Sequence, residues 1–216
     1  MALKDRTDML NYARMLTEHR LVAGTWGNIS IRSTEGILIT PSGIGYNGMT
    51  QNDLVYVDLD GNIVNGIRKP SSEMLCHLSI YKKFPQVGAI VHTHSTYACA
   101  CAAVHQPIPA MLEDQAQIIG GTVNVAEYAL PGTQALADNL LVALQNKSAV
   151  LLANHGVIAC GQDINEAFTV AEIVEKSAKI YIMAQQLGGG MELDPEDIKQ
   201  MRDNYLNNYR KLQKRI

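Results

Sequence analysis

The stretch VHTHS, residues 91–95, sets His92 and His94 one residue apart in a chain with six histidines. The run leading into it, VGAIVHT, has the length and apolar character of a strand, and the small residues after it, Thr96 to Val104, read as a helix. Side chains alternate faces along a strand, so the two imidazoles point the same way and can converge on one ion while Thr93 faces the other side. The spacing suits two ligands of a single site. Taken alone, the pair is equally well explained as two strand residues, and a third ligand has to be found elsewhere.

Around this stretch the chain alternates helical and extended patterns. Leu3 to Leu21 carries apolar residues at helical spacing and stops before AGTWGN. ISIR, ILITPS and LVYVDL follow as short β-rich runs, the last turning at DGN into IVN, so residues 28–65 are expected to form antiparallel sheet. KPSSEMLCHLSIYKKF is expected to be a helix with Ser71, Ser72 and Glu73 in its first turn. TVNVAEYAL is a further strand candidate, TQALADNLLVALQN a helix, and AVLLANHGVIACG two strands meeting at Asn154-His155-Gly156. Asp163 and Glu166 make a D-x-x-E start for a helix running to Leu187, where GGG ends it. Asp194 and Pro195 open a last helix that carries Tyr205 and Tyr209 into the basic end RKLQKRI. No repeat, linker or low-complexity stretch divides residues 1–216, which are expected to form one domain.

With 216 residues, 47% hydrophobic and 18% charged, the chain can bury a full core. A net charge of -3 and a pI near 6.1 give no basic surface for nucleic acid or an anionic membrane, so neither is an expected partner. The start, MALKDRTDML, lacks the apolar core of a signal peptide, and no run is long enough to span a bilayer; a cytoplasmic location is the default expectation. Cys76, Cys99, Cys101 and Cys160 lie in apolar stretches without CxxC spacing and read as buried reduced thiols, with Cys99 and Cys101 a lesser alternative as metal ligands.

His155 is the best third ligand, because Gly156 lets the chain turn at a strand end and present the imidazole to a cleft; a hydrogen-bonded turn histidine is the plainer reading. His77, inside a helix, and His105, before Gln106-Pro107, compare poorly, as does His19. Glu73 adds a carboxylate in a first turn beside two serines, where acidic residues also occur for dipole reasons alone. Hydroxyls and free N–H groups at a helix start bind a phosphate monoester. GTWGNIS adds glycine backbone and the Asn28 amide, and TPSGIGY adds Ser42 and Gly43. Each is a turn taken singly; with Ser71-Ser72 they make three neutral segments able to surround one phosphate. Neither glycine segment contains Lys or Arg, which argues against a nucleoside triphosphate.

The ordered series Gly24-Thr25-Trp26-Gly27-Asn28, Thr40-Pro41-Ser42-Gly43, Pro70-Ser71-Ser72-Glu73, His92-Thr93-His94 and His155-Gly156 resembles the class II aldolase and adducin head family over nearly the whole chain. The resemblance implies an α/β fold, a three-layer α/β/α sandwich around a mixed, largely antiparallel sheet. It also implies a homotetramer with sites between neighbouring subunits. It implies that His92, His94 and His155 hold one divalent metal per subunit, zinc first and manganese or cobalt as alternatives. Glu73 would be the acid/base and a fourth ligand at rest, and Gly27, Asn28, Ser42, Gly43, Ser71 and Ser72 would hold the phosphate. The implied reaction is cleavage of a ketose 1-phosphate, of the L-fuculose, L-ribulose or 5-deoxypentulose type, to dihydroxyacetone phosphate and an aldehyde through an enediolate. Three neutral imidazoles leave the ion its charge and leave open positions, which suits stabilising that anion.

Members acting on fuculose phosphate use a tyrosine from the C-terminal tail, and Tyr209 in NNYRK holds a similar place, with Tyr205 its rival. Where those members have another tyrosine after IPA, this sequence reads Met111-Leu112-Glu113-Asp114-Gln115, so Glu113 stands as a second acid/base, a polar substrate contact or a solvated residue. The family's pentulose-phosphate 4-epimerases expect an aspartate near Gln117, which is absent here. Methylthioribulose-phosphate dehydratases and sugar-acid phosphate decarboxylases share the scaffold. A non-catalytic adducin-like domain would have lost ligands that this chain keeps, and a zinc hydrolase leaves the phosphate segments without a use.

Overall fold

The computed structural model describes residues 3–213; the last three residues of the basic end lie outside the described residues. Eight strands form one sheet in the order β4-β3-β2-β1-β5-β8-β7-β6. They are β1 (Asn28–Arg32), β2 (Gly36–Ile39), β3 (Val55–Asp58), β4 (Ile63–Asn65), β5 (Ala89–Thr93), β6 (Val125–Ala126), β7 (Ala149–Leu152) and β8 (Gly156–Gly161). Every pairing is antiparallel except β6 with β7.

The central strands are apolar on both faces because both faces are covered. Ala89, Val91, Leu151, Val157 and Ala159 pack into one core with α1 (Leu3–Glu18), α3 (Thr96–Ala103), α4 (Glu113–Ile119) and α6 (Ile164–Gln186). Their neighbours Ile90, Val150, Leu152, Ile158 and Cys160 pack into a second core with α2 (Met74–Lys83) and α5 (Gln134–Leu144). Each large apolar side chain so buried contributes roughly 1.5–3 kcal/mol. The result is the three-layer α/β/α sandwich around a largely antiparallel sheet. After Asp194, which caps α7 (Pro195–Asn204), the chain makes a π-helical turn over Tyr205–Tyr209 and ends in α8 (Arg210–Gln213).

Three local expectations change. Ser71 and Ser72 precede α2 instead of filling its first turn, because the Glu73 and Met74 N–H groups donate to the Ser71 hydroxyl at 3.2 Å and to its carbonyl at 3.2 Å. The strand expected over TVNVAEYAL is reduced to Val125–Ala126 with a bridge from Val123 to Ile108. The segment from Glu113 to Ile119, for which no element was expected, is α4, seven residues ended by Gly120 in the left-handed conformation.

Candidate active site

His92 is the last residue but one of the fully buried strand β5, with Asn28 opposite it on β1 and Ile158 on β8. It points into the layer of α2, on the same face as Ile90. His94 lies just past the strand end, where its N–H donates to the Leu21 carbonyl at 3.0 Å. The two rings converge as strand alternation requires, with 2.8 Å between their Nε2 atoms. His155 comes in from the β7–β8 turn and sets Nε2 2.7 Å from Glu73 Oε1, while Glu73 Oε2 lies 3.0 Å from His92 Nε2. One ligand atom from each of the four residues lies within 4.8 Å of the other three.

Local structure aims each of these groups. Glu73 occupies the N-cap of α2 but makes no capping hydrogen bond, so its carboxylate is free for the histidines and for the Asn28 amide, which donates to Oε2 at 2.8 Å. The turn at His155 is made by Asn154, whose φ is 55°, and not by Gly156 as expected. Gly156 serves a different need: a Cβ there would lie 2.4 Å from the Thr93 carbonyl oxygen, 3.1 Å from the His92 ring and 3.2 Å from the His94 ring. Gly27 has φ of 81°, and a Cβ on it would lie 2.7 Å from the His92 carbonyl oxygen, so the glycine-rich loop can sit against β5 only without a side chain.

The donor set fits a divalent cation. The His92 Nδ1–H donates to the Val157 carbonyl at 2.8 Å, which orients the ring and leaves Nε2 free to coordinate. Burial disfavours the charged form of His92, but the neighbouring Glu73 carboxylate outweighs it and raises the imidazole pKa. Burial would raise the Glu73 carboxyl, yet the His92 charge and hydrogen bonds from His155 and His92 hold it well below the usual carboxylate range. Burial, with the charges of His92 and His155, pushes His94 down to about 3, so it is neutral at pH 7. Three imidazole nitrogens and one carboxylate packed this tightly match a tetrahedral ion, whose ligand atoms stand about 3.4 Å apart. Cys99 and Cys101 are not part of the cluster.

A pocket of about 310 Å³ opens beside Glu73 and His155. Its walls are the three segments singled out from the sequence: Gly27 and Asn28, Ser42 and Gly43, and Ser71 and Ser72. A bridge between Pro41 and Pro70, with the Ser42 N–H donating to the Lys69 carbonyl at 3.0 Å, ties the second segment to the third. Thr40 exchanges hydrogen bonds with Ile29, which ties the second to the first. Thr25, Trp26 and Pro131 complete the lining, and no lining residue is Lys or Arg. Thr25 and Trp26 belong to the GTWGN motif but were given no role at the site, and Pro131 was not singled out. Trp26 was detectable as an aromatic side chain inside a glycine loop, and its ring centroid lies 5.7 Å from that of His94. Pro131 comes from a loop distant in sequence and carried no local signal.

The remaining candidates do not meet the cluster within this chain. Tyr205 is buried and donates to Glu166 Oε1 at 3.0 Å, and Glu166 Oε2 accepts the Gln162 N–H, just past the Gly161 end of β8. Gly161 pairs with Ala89 and Val157 with Thr93, so the tail packs four residues, about 13 Å, down the same strand pair. Tyr209 is exposed, with its ring 6.3 Å from that of Tyr205. Glu113 is exposed at the start of α4, where its neighbour Asp114 pairs with Lys176.

Comparison with known proteins agrees with this geometry. The profile of the Class II Aldolase and Adducin N-terminal domain matches residues 7–182. A 5-deoxy-D-ribulose 1-phosphate aldolase of Bacillus thuringiensis serovar kurstaki is 41% identical over 196 residues, covering 90% of this chain and 91% of the relative. An L-fuculose phosphate aldolase of Escherichia coli O6:H1 is 37% identical over 167 residues, 77% of each chain. The solved structure of an L-fuculose 1-phosphate aldolase superposes with a TM-score of 0.92 at 38% identity, over 95% of this chain and 98% of that one.

Proposed function

The chain belongs to the class II aldolase and adducin family and is an enzyme of the aldolase kind; from that premise we propose that it cleaves a ketose 1-phosphate to dihydroxyacetone phosphate and an aldehyde. The observation that carries this reading is the pocket in which three neutral hydroxyl- and N–H-bearing segments adjoin Glu73 and His155. A phosphate monoester held by Gly27, Asn28, Ser42, Gly43, Ser71 and Ser72 puts the rest of a short sugar against the four-residue cluster. The two relatives named above act on 5-deoxy-D-ribulose 1-phosphate and L-fuculose phosphate, which sets the range of substrates to test.

His92, His94 and His155, with Glu73 at rest, would hold the divalent cation, zinc being the ion this donor set fits best. When bound, that cation supplies a positive charge that stabilises the anion left as the C3–C4 bond breaks. Glu73 is the chain's own proton carrier: it lines the pocket with His155, its Oε1 lies 2.7 Å from His155 Nε2 and its Oε2 is fixed by Asn28. Placed there, it moves a proton to and from C3. Tyr209 lies far from its own chain's cluster, so its role in accepting the C4 hydroxyl proton during cleavage, and donating it in the reverse direction, requires a neighbouring copy, in keeping with a homotetramer. Exposed Val104, Leu130, Val142 and Met183 supply apolar surface for such an assembly.

The test is a panel of L-fuculose 1-phosphate, L-ribulose 1-phosphate and 5-deoxyribulose 1-phosphate, with dihydroxyacetone phosphate read by NADH-coupled reduction, with and without chelator. Chelator-sensitive release from at least one is expected. No release from any, by protein shown to contain metal, overturns the reading. His94→Ala should lose metal and activity together, and Tyr209→Phe should lower kcat about 100-fold or more, the ordinary contribution of a positioned acid/base, where Tyr205→Phe does not.

A further inference from the structure

We infer that Glu175, in the helical layer on the far side of the sheet from the pocket, is a positioning residue for His94, acting through the first turn of α3; this rests on the reading of His94 as a metal ligand. β5 ends at Thr93 and α3 begins at Thr96, so His94 sits in a two-residue connection whose geometry follows the way that helix start is held. Ser95 occupies the N-cap with φ of -70° and ψ of 143°. A serine hydroxyl in that place ordinarily accepts the N–H of the second or third helical residue. Here it does not: the Ser95 hydroxyl is buried and, among the described residues, has no hydrogen-bond partner.

Glu175 takes over both donors. Its Oε1 accepts the Tyr97 N–H at 3.0 Å and its Oε2 the Ala98 N–H at 2.9 Å. A carboxylate on two N–H groups at a helix start is a stronger acceptor than a hydroxyl and also matches the helix dipole. Glu175 projects from the middle of α6, which is anchored on either side of it by the buried Val174 and Ala178. The connection is thus held at both ends, by Leu21 accepting from the His94 N–H and by Glu175 clamping the following turn. Loss of a local cap frays only a helix end, whereas loss of this one frees the connection that carries a ligand.

The experiment compares Co2+ binding by wild type, Glu175→Gln, Glu175→Ala and His94→Ala, through chelator competition and the visible spectrum of the bound ion, with circular dichroism as a check of folding. A glutamine offers one oxygen for two N–H groups and turns its amide donors on the other. Glu175→Gln is expected to stay folded, to bind Co2+ about 10-fold more weakly, within the range seen when groups behind metal ligands are changed, and to shift the Co2+ bands; Glu175→Ala should lose more. Wild-type affinity and an unchanged spectrum in both variants, whatever their melting temperature, overturn the inference. Variants that lose their dichroism together with the metal also overturn it, since Glu175 then supports the whole molecule and not this corner. If wild type takes up no Co2+, or His94→Ala takes it up equally well, the metal reading itself has failed, a result distinct from an unaffected Glu175→Gln.

Discussion

Replacing Gly156 with alanine puts one methyl group where β8 crosses the end of β5. The new Cβ would lie 2.4 Å from the Thr93 carbonyl oxygen, when ordinary contact begins near 3.4 Å, so the two strands must separate by about 1 Å at the Thr93–Val157 pair. A ladder hydrogen bond stretched by that amount is lost. The same methyl presses on the rings of His92 at 3.1 Å and His94 at 3.2 Å, and the two cannot both yield and keep their Nε2 atoms converging. Overpacking of this kind costs about 1–3 kcal/mol. It outweighs the roughly 0.4–1 kcal/mol an alanine gains by stiffening the unfolded chain. At about 2–4 °C per kcal/mol for a chain of this length, the melting temperature should fall by several degrees. Metal affinity should fall about 10- to 100-fold, because both ligand rings are displaced. Calorimetry of the chelated protein and competition for Zn2+ against a chelator measure the two effects. A variant that melts within about a degree of wild type and binds Zn2+ equally well would refute the packing argument.

Further outcomes follow from other contacts. His77 is fully buried, its Nδ1 2.6 Å from the Ser30 hydroxyl, and burial with the His92 charge pushes its pKa from 6.5 down to about 3. The unfolded chain therefore binds the extra proton: stability from this group is full above pH 6.5 and is lost as pH falls toward 3, with roughly 2 kcal/mol gone by pH 5. His77→Gln should flatten the urea-midpoint profile by that amount, and parallel profiles for variant and wild type would dismiss it. Trp26 is the one tryptophan of the chain and its ring lies 5.7 Å from that of His94, so Co2+ should quench its fluorescence and a chelator restore it; unchanged emission on stoichiometric Co2+ uptake would put the ion elsewhere. Asp163 Oδ1 accepts the Glu166 N–H at 2.9 Å at the start of α6, and Asp163→Ala should cost about 1 kcal/mol in chemical denaturation, the ordinary value of such a cap.

Much of the fold could be read from the chain because the signals were local. The run of apolar residues in β5, the D-x-x-E start of α6 and the hairpin punctuation between β3 and β4 each report on neighbours only a few residues away. The helix α4 was not legible, since its seven residues start after Leu112 with no capping hydrogen bond and are held by their burial against the rest of the chain. Ser71 and Ser72 were assigned to a helix they only precede, because the Ser71 hydroxyl has a use, accepting from the Glu73 N–H, that composition does not reveal.

The site divides in the same way. The sequence by itself determined which side chains are available: two histidines on one strand face, a histidine beside a glycine, a glutamate after two serines, and glycine loops without a cation. Only the tertiary structure decided that His92, His94, His155 and Glu73 meet within 4.8 Å, that Gly156 is required for its missing Cβ and not for a turn, and that Glu175 caps a helix it does not belong to. The physical reason is that residue type and local periodicity fix what a side chain can do and which way it points on its own element. Which donor meets which acceptor depends on strand register and on how two helical layers settle on the sheet, and both are set by contacts between residues far apart in the chain.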